Sequence, residues 1–418
     1  MTQTAQVPEQ RFIEAVQACL KRYDEKLQNI NQKIWSNPEL AYEEHDAHKN
    51  ICEFFEGLGD KHYSIRRQAY KLETAFEIEY KHGDGGGRVV AFNAEYDALP
   101  GIGHACGHNL IATSSIAAFV ATCEAMKTVS GSKGFTARLI GTPAEESGGG
   151  KVRLIDNGAY KDVDACLMVH PMPVAPEYPD MLSVATTTTG GYLANDKVTV
   201  TFTGKPAHAA AAPWEGINAL DAVVAAYVNI SLLRQQLLPS QKVHGVIVNG
   251  GDRPNVIPMS ASVNYYIRSP TVKTLKPLTE KIIKCFESAA MATGCKVDFK
   301  WGPSYADLKT NTPICDSYVS ALRAMGQQAA FTTPPREGFG GGSTDMGNVS
   351  YVVPGFHGIF AIPAEGVNHT PQFTAGAGSL ESYKRAISCA AGMAIVGCRI
   401  LDDAAFAEQV KADFLKDE

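Results

Sequence analysis

What the chain lacks narrows its function first. None of the ten cysteines stands in a Cys-x-x-Cys pair; they are scattered from Cys19 to Cys398. Several fall in apolar runs, where a free thiol behaves as a small hydrophobe. That spread argues against a disulfide framework and for a reducing compartment, read here as the cytoplasm. A basic excess is also missing: 38 Lys and Arg face 44 Asp and Glu, for a net charge of −6 with both signs interspersed. A nucleic-acid partner needs a basic patch or stripe, so none is expected. Apolar stretches are interrupted by charge or glycine before the ~18 residues that a membrane span requires, so no membrane partner is expected either. Met1 to Gln6 is polar and has no apolar segment of a secretory signal. The glycine-rich loop Gly338 to Gly342 lacks a Gly-Lys-Ser/Thr at the required offset and a clear preceding strand. It does not read as a phosphate-binding loop.

What is present is enough for two or more domains: 418 residues, 45% of them apolar. Phe12, Val16, Leu20, Leu27, Ile30 and Ile34 recur at helical spacing, and a second helix follows the turn Asn37-Pro38-Glu39-Leu40-Ala41-Tyr42-Glu43-Glu44-His45. His45 and His48 are expected on its solvated side. Ala75 to Tyr80 alternates as a half-buried strand, and His82 to Gly87 reads as a hairpin-like loop. Val89 to Phe92 reads as a central buried strand. Asn109 to Lys127 follows as a helix, then strands over Phe135 to Gly141 and Ala165 to Val169, with a short helix over Lys151 to Asn157 between them. Open α/β sheets place their chemistry at the carboxyl ends of such strands. Composition changes near Thr186 to Gly191. From there the order strand (Lys197 to Thr203), helix (Asn218 to Leu237), strand (Val243 to Val248), strand (Ala261 to Arg268), helix (Leu275 to Ala292), strand (Lys296 to Trp301) is a ferredoxin-like split unit. The fold class is therefore α/β, with residues 1–194 and 306–418 as one catalytic domain and residues 195–305 as an inserted α+β domain. The last segment holds a helix near 312–325, an apolar strand over Gly358 to Ile362 and long C-terminal helices.

Ligand-type side chains gather at the predicted strand ends. Just beyond the strand that leads to Asp97 stands His104-Ala105-Cys106-Gly107-His108-Asn109; Glu145-Glu146, His170 and the distant His369 follow. Imidazole, thiolate and carboxylate are the donors of a zinc-like divalent ion. Any one of them alone is more often structural. Six at strand ends or nearby loops are hard to obtain from core packing. The Glu145-Glu146 pair reads either as a solvated helix start or as a division of labour. In the second reading one carboxylate binds metal and the other serves as general base toward activated water. His208 reads slightly better as a surface-loop histidine, Asn255 as a turn residue and Arg268 as a strand-edge charge.

Taken together, Glu95-Tyr96-Asp97-Ala98-Leu99-Pro100, His104 to His108, Glu145-Glu146, His170-Pro171, Gly204-Lys205-Pro206-Ala207-His208, Asn255-Val256-Ile257-Pro258 and Asn368-His369-Thr370-Pro371 occur in the order of the M20 metallopeptidase family. The chain resembles the amidohydrolase branch of that family. Asn109-Leu110-Ile111-Ala112 and Gly342 to Ser350 resemble the sub-branch of the peptidase M20 domain-containing protein 2 type and of aminobenzoyl-glutamate hydrolase. The resemblance implies a di-metal catalytic domain with an inserted lid that dimerises. It implies Cys106, His108, Glu146, His170 and His369 as ligands of two divalent ions. Thiolate with imidazole favours Zn2+, with Mn2+, Ni2+ or Co2+ as other occupants. Cys106 would replace a bridging Asp, and His104 would be left a structural role. Glu145 would be the general base and Asp97 the carboxylate that orients a ligand. His208 would stabilise the oxyanion in the partner subunit's site. Asn255 and Arg268 would hold the substrate's carboxylate, and Gly341, Gly342 and Ser343, with Gly340, would line the pocket. The implied reaction is hydrolysis of the amide bond of a small N-acyl amino acid or dipeptide. An amide-forming or acyl-transfer enzyme and a metal-free, non-enzymatic scaffold are the alternatives. Two departures stand out, Ser147 after the Glu pair where relatives often have Gly, and Asn109 for the more common Asp; neither removes a ligand.

Overall fold

The computed structural model describes residues 10–83, 87–129, 134–186, 191–332 and 341–417. Met1 to Gln6, most of the bend at 186–191 and residues 338–340 of the glycine-rich loop lie outside them. In chain order the elements are α1 (Gln10–Ser36), α2 (His45–Glu56), β1 (Tyr63–Arg67), β2 (Phe76–His82), β3 (Val89–Ala94), α3 (His108–Val129), β4 (Phe135–Gly141), α4 (Gly150–Asp156), β5 (Ala165–Pro173) and β6 (Ser183–Thr186). There follow β7 (Ala194–Thr203), α5 (Ala219–Leu233), β8 (Lys242–Asn249), β9 (Ser260–Ser269), α6 (Val272–Thr293) and β10 (Lys296–Trp301). The chain ends with α7 (Thr312–Ala324), β11 (Ala329–Thr332), α8 (Met346–Ser350), β12 (Gly355–Ile362), α9 (Pro371–Ala377), α10 (Leu380–Asp402) and α11 (Ala404–Phe414). Two compact units result: Met1–Thr188 with Lys309–Phe339 and Asn348–Glu418, and Thr189–Leu308 with Gly340–Gly347.

The first unit is built on an eight-stranded sheet of order β1-β2-β4-β3-β5-β12-β6-β11. Its centre is parallel, with Phe92 of β3 opposite Leu139 of β4 on one side and Leu167 of β5 on the other. Every residue of β3 is buried, as expected of a strand covered on both faces. Residues 84–86 of the hairpin-like loop expected at 82–87 lie outside the described residues; the strands that flank it, β2 and β3, are not neighbours, because β4 lies between them. Strands β6 and β11 were not evident from the sequence; they are four residues each and pair in parallel with each other. A strand thus does precede the glycine-rich loop.

Helix α3 packs on α1, α10, β3 and β5. It corrects the expectation drawn from apolar run lengths, since it is long and apolar enough to cross a membrane by length and composition. In this fold 94% of that stretch is buried inside the unit, which is how a core helix reads. His48 also departs from expectation. His45 is exposed, but His48 is buried, its ring 6.0 Å from that of Phe76.

The second unit is a four-stranded antiparallel sheet of order β10-β7-β9-β8. Strands β7, β8, β9 and β10 with α5 and α6 keep the chain order β-α-β-β-α-β of the ferredoxin-like arrangement. Val200, Phe202, Val263, Tyr265, Ile267, Ile282 and Phe286 form its own core. Asn218 caps α5, and Thr271 with Thr274 closes a capping box on α6.

Candidate metal centre

The carboxyl ends of β3, β4 and β5 and the loop before α9 deliver the ligand-type residues. Cys106 lies in the turn that opens α3, and His108 is that helix's first residue. Gly107 between them has φ +77°, and a Cβ there would stand 2.5 Å from Pro171 Cγ. Only glycine lets this turn approach the residue after His170 so closely. His170 lies inside β5 rather than beyond its end. The distant His369 is brought in by its own N–H, which donates to the Ala105 carbonyl at 2.8 Å.

Donor atoms of Cys106, His108 and His170 lie within 4.8 Å of one another, as do those of Cys106, Glu146 and His369, and those of His108, Glu145 and Glu146. Cys106 belongs to two of these groups. Its Sγ is 3.3 Å from His170 Nε2. His170 Nδ1 donates to the Pro171 carbonyl at 2.9 Å, which leaves the Nε2 lone pair facing the thiol. Asp97 does two jobs: Oδ1 meets His108 Nδ1 at 2.9 Å, and Oδ2 accepts the backbone N–H of Glu146 at 3.0 Å. It therefore turns His108 Nε2 toward the cluster and fixes the turn that carries the glutamates.

The electrostatics call for positive charge. Glu95, Asp97, Glu145 and Cys106 are all buried, with Glu146 only slightly exposed. Burial pushes the Cys106 thiol up, and the neighbouring Glu146 charge adds to the shift. Burial also drives His170 down to about 4. For His108, burial works downward, yet the charge of Asp97 holds the imidazole well above its ordinary value. Burial would raise Glu146, but His369, 3.4 Å away, keeps it low and is itself raised in return. The upward pull on His108 and His369 shows that the carboxylates of this site draw positive charge toward them. Among the described residues the buried atoms His108 Nε2 and Glu95 Oε2 have no hydrogen-bond partner, and they stand 3.6 Å apart. Orphaned atoms of this kind, in a set of thiol, imidazole and carboxylate donors, fit divalent cations.

Two members of the site were missed in the sequence. Glu95 is wholly buried and paired with the equally buried ammonium of Lys151 at the start of α4. Glu95 stands two residues before Asp97, and period-two alternation could have pointed both carboxylates the same way. Lys151 gave no such signal, since a lysine in a first helical turn reads as solvated. His104 is confined to structure: its Nε2 meets the Ile34 carbonyl at 3.0 Å, and burial lowers it to about 4.

The remaining expected residues lie on the second unit and form two groups there. His208 and Asn255 are neighbours through a bridge of residues 208 and 256 and through Ala209 N–H to the Asn255 carbonyl. His208 is exposed, and its Nδ1 accepts the N–H groups of Ala210 and Ala211 at 3.3 and 3.1 Å. The ring's other nitrogen is thereby the donor. Arg268 donates to Ser343 Oγ at 3.0 Å and to the Gly341 carbonyl at 3.3 Å. Gly342 is fixed alongside by its pairing with Tyr192. Among the described residues Arg268 forms no ion pair, and partial burial lowers its pKa.

Comparison with known proteins shows the family. Residues 91–394 match peptidase family M20/M25/M40. The Xaa-Arg dipeptidase of Mus musculus is 41% identical over 93% of this chain and 89% of its own. One of the p-aminobenzoyl-glutamate hydrolase polypeptides of Escherichia coli is 30% identical over 76% of this chain and 65% of its own. Among solved structures, a dinuclear metal-binding M20 peptidase from Bacillus subtilis superposes with a TM-score of 0.64 at 21% identity, covering 91% of this chain and 99% of that one. The chain is an enzyme of peptidase family M20/M25/M40, on the branch that holds its dipeptidases and aminobenzoyl-glutamate hydrolases.

Proposed function

We propose that this enzyme hydrolyses the amide bond of a dipeptide or small N-acyl amino acid, and that dipeptides with a basic C-terminal residue are its first candidates. The substrate class follows from the Xaa-Arg dipeptidases of mouse and human, 41% and 39% identical to this chain. The observation that carries the chemistry is the convergence of Cys106, His108, Glu146, His170 and His369 in donor groups that share Cys106. These five would hold two divalent ions, with zinc the expected occupant. Bound there, the ions would polarise the scissile carbonyl and lower the pKa of water to about 7.

The chain's own residues divide the remaining work. Glu145 takes the proton of the attacking water and passes it to the departing amine. Asp97 keeps His108 in one tautomer and holds the backbone of Glu146. His208, with Nδ1 committed to backbone donors, offers a ring N–H to the oxyanion in the site of a second protomer. Arg268, without a carboxylate partner among the described residues, suits bidentate binding of the substrate's terminal carboxylate. Asn255, Gly341, Gly342 and Ser343 complete that end. The ten cysteines are free thiols, which suits a cytoplasmic enzyme.

The test is a screen of the zinc-loaded protein on N-acyl amino acids and dipeptides, Xaa-Arg and β-alanyl dipeptides included, beside the Glu145→Gln variant. Hydrolysis of a dipeptide by the native enzyme is expected. Glu145→Gln should keep its bound zinc and lose on the order of 10²- to 10⁴-fold in kcat. Native-level turnover by that variant overturns the assignment of the base.

A further inference from the structure

The turn at residues 37–45 takes no part in the chemistry above, yet it grips both loops that carry it. The Glu39 carbonyl accepts the N–H of Ala98, the residue after Asp97, at 2.8 Å. Tyr42 OH donates to the Gly148 carbonyl at 2.7 Å. Glu44, wholly buried, accepts the Ala144 N–H at 2.9 Å with Oε1 and the Thr74 hydroxyl at 2.7 Å with Oε2.

Ala144 is the residue before the Glu145-Glu146 pair, and its φ is +60°. That left-handed conformation is unfavourable for any residue with a Cβ and persists only where the surroundings impose it. The two glutamates follow directly on this bend, and their carboxylate oxygens lie within 4.8 Å of each other and of the His108 ring nitrogen. The surroundings are tight. A Cβ at Gly148 would stand 2.4 Å from Tyr42 Cε2 and 2.7 Å from Ala144 Cβ, and one at Gly150 would stand 1.7 Å from the Pro143 carbonyl oxygen. Ala144 in turn accepts the Gly148 N–H at 3.0 Å, so residues 144–148 close on themselves between the two grips. A polar side chain this far from water is costly to keep unless it is hydrogen-bonded, and both oxygens of Glu44 are.

We propose that residues 39–44 form a brace in which Glu44 and Tyr42 are positioning residues, holding the strained turn that aims Glu145 and Glu146. The proposal rests on the reading of Glu145 as base and Glu146 as ligand. Glu44 and Tyr42 act through the backbone of residues 144–148, so loss of the brace lowers kcat and metal affinity and leaves KM nearly unchanged.

The experiment compares Glu44→Ala, Glu44→Gln and Tyr42→Phe with the native enzyme in three readouts: kcat, KM and zinc affinity by chelator competition. Far-UV circular dichroism serves as the folding check. Glu44→Ala is expected to lose about 10- to 100-fold in kcat and about 10-fold in zinc affinity, the scale of a small misplacement in a site and of a lost outer partner. Glu44→Gln is expected to recover most of both, since its amide oxygen still accepts from Ala144 and its NH2 donates to the Thr74 hydroxyl. A folded Glu44→Ala protein with native kcat and zinc affinity overturns the brace. Failure of Glu44→Gln to recover also overturns it, because charge rather than hydrogen bonding would then be the cause. If Glu44→Ala does not fold, Tyr42→Phe decides by the loss of one hydroxyl: a fall of about 10-fold in kcat supports the brace and a native kcat overturns it. Should the native enzyme hydrolyse neither a dipeptide nor an N-acyl amino acid, the functional reading fails, and the zinc measurement still decides the brace.

Discussion

Cys106 is the residue whose chemistry depends most on a cation. Buried beside Glu146, its thiol is pushed away from ionisation, so a thiolate at this position requires positive charge next to it. A serine hydroxyl would be far harder to ionise. Cys106→Ser is therefore expected to bind at least about 10-fold less zinc at limiting metal, read by atomic absorption after gel filtration. A fully loaded, active Cys106→Ala protein rules out the thiolate. Glu44 poses the opposite problem. Burial, with the charge of Asp97 adding, pushes its carboxyl up from 4.5 to about 7. The folded state thus holds a proton that the unfolded chain has already released, so this group's contribution falls as pH rises from about 4.5 to about 7. Glu44→Gln removes that slope. Its stability relative to the native protein should rise by on the order of 1 to 3 kcal/mol between the two ends of that window, measured by urea unfolding. Equal slopes for the two proteins would place the Glu44 carboxyl in the ordinary range.

At the scale of elements, the site is held together by what β3, α3 and α4 share. The Glu95–Lys151 ion pair links the end of β3 to the first turn of α4, and both partners are fully buried. Removing one partner strands the other's charge, at a cost of about 3 to 5 kcal/mol. Lys151→Met should lose stability on that scale in urea unfolding, and a change below about 1 kcal/mol would show that water reaches the pair. The same elements show what could be read from the chain. Val89 to Phe92 betrayed a central strand because a four-residue apolar run has few other homes. The ligand-type residues stood at strand ends that local patterns had marked. Other features depend on contacts that local patterns do not encode. The loop at residues 82–87 looked like a hairpin, since sequence order does not reveal that β4 inserts between β2 and β3. Strands β6 and β11 are too short to show a period. The burial of His48 and Lys151 is set by distant partners, the Phe76 ring and the Glu95 carboxylate.

At the scale of the whole molecule, the second unit exposes two apolar stretches, one on β8 and one on α5. Strand β8 ends the second unit's sheet, and Val246, Ile247 and Val248 on it are exposed, Val246 to 63%. Beside them in sequence order, α5 exposes Val224, Tyr227, Val228 and Leu232, the last to 69%. Val224, Val228 and Leu232 fall at intervals of four and so share one helix face. An unpaired edge strand with apolar side chains, together with an apolar helix face, is the arrangement that proteins avoid unless another chain covers it. A second copy of this chain, joined through the inserted domain, is the occupant that the functional reading requires, because His208 is assigned to the partner's site. Val228→Glu combined with Ile247→Lys alters two exposed positions, where substitutions cost within about 0.5 kcal/mol, so the fold should persist. Light scattering is expected to give the dimer mass for the native enzyme and the monomer mass for the double variant. Zinc content should stay native while kcat falls by about 10²-fold, the scale of a lost oxyanion donor. A native enzyme that runs as a monomer, or a monomeric variant with full activity, would remove His208 from the partner's site and return that role to the chain that carries the metal.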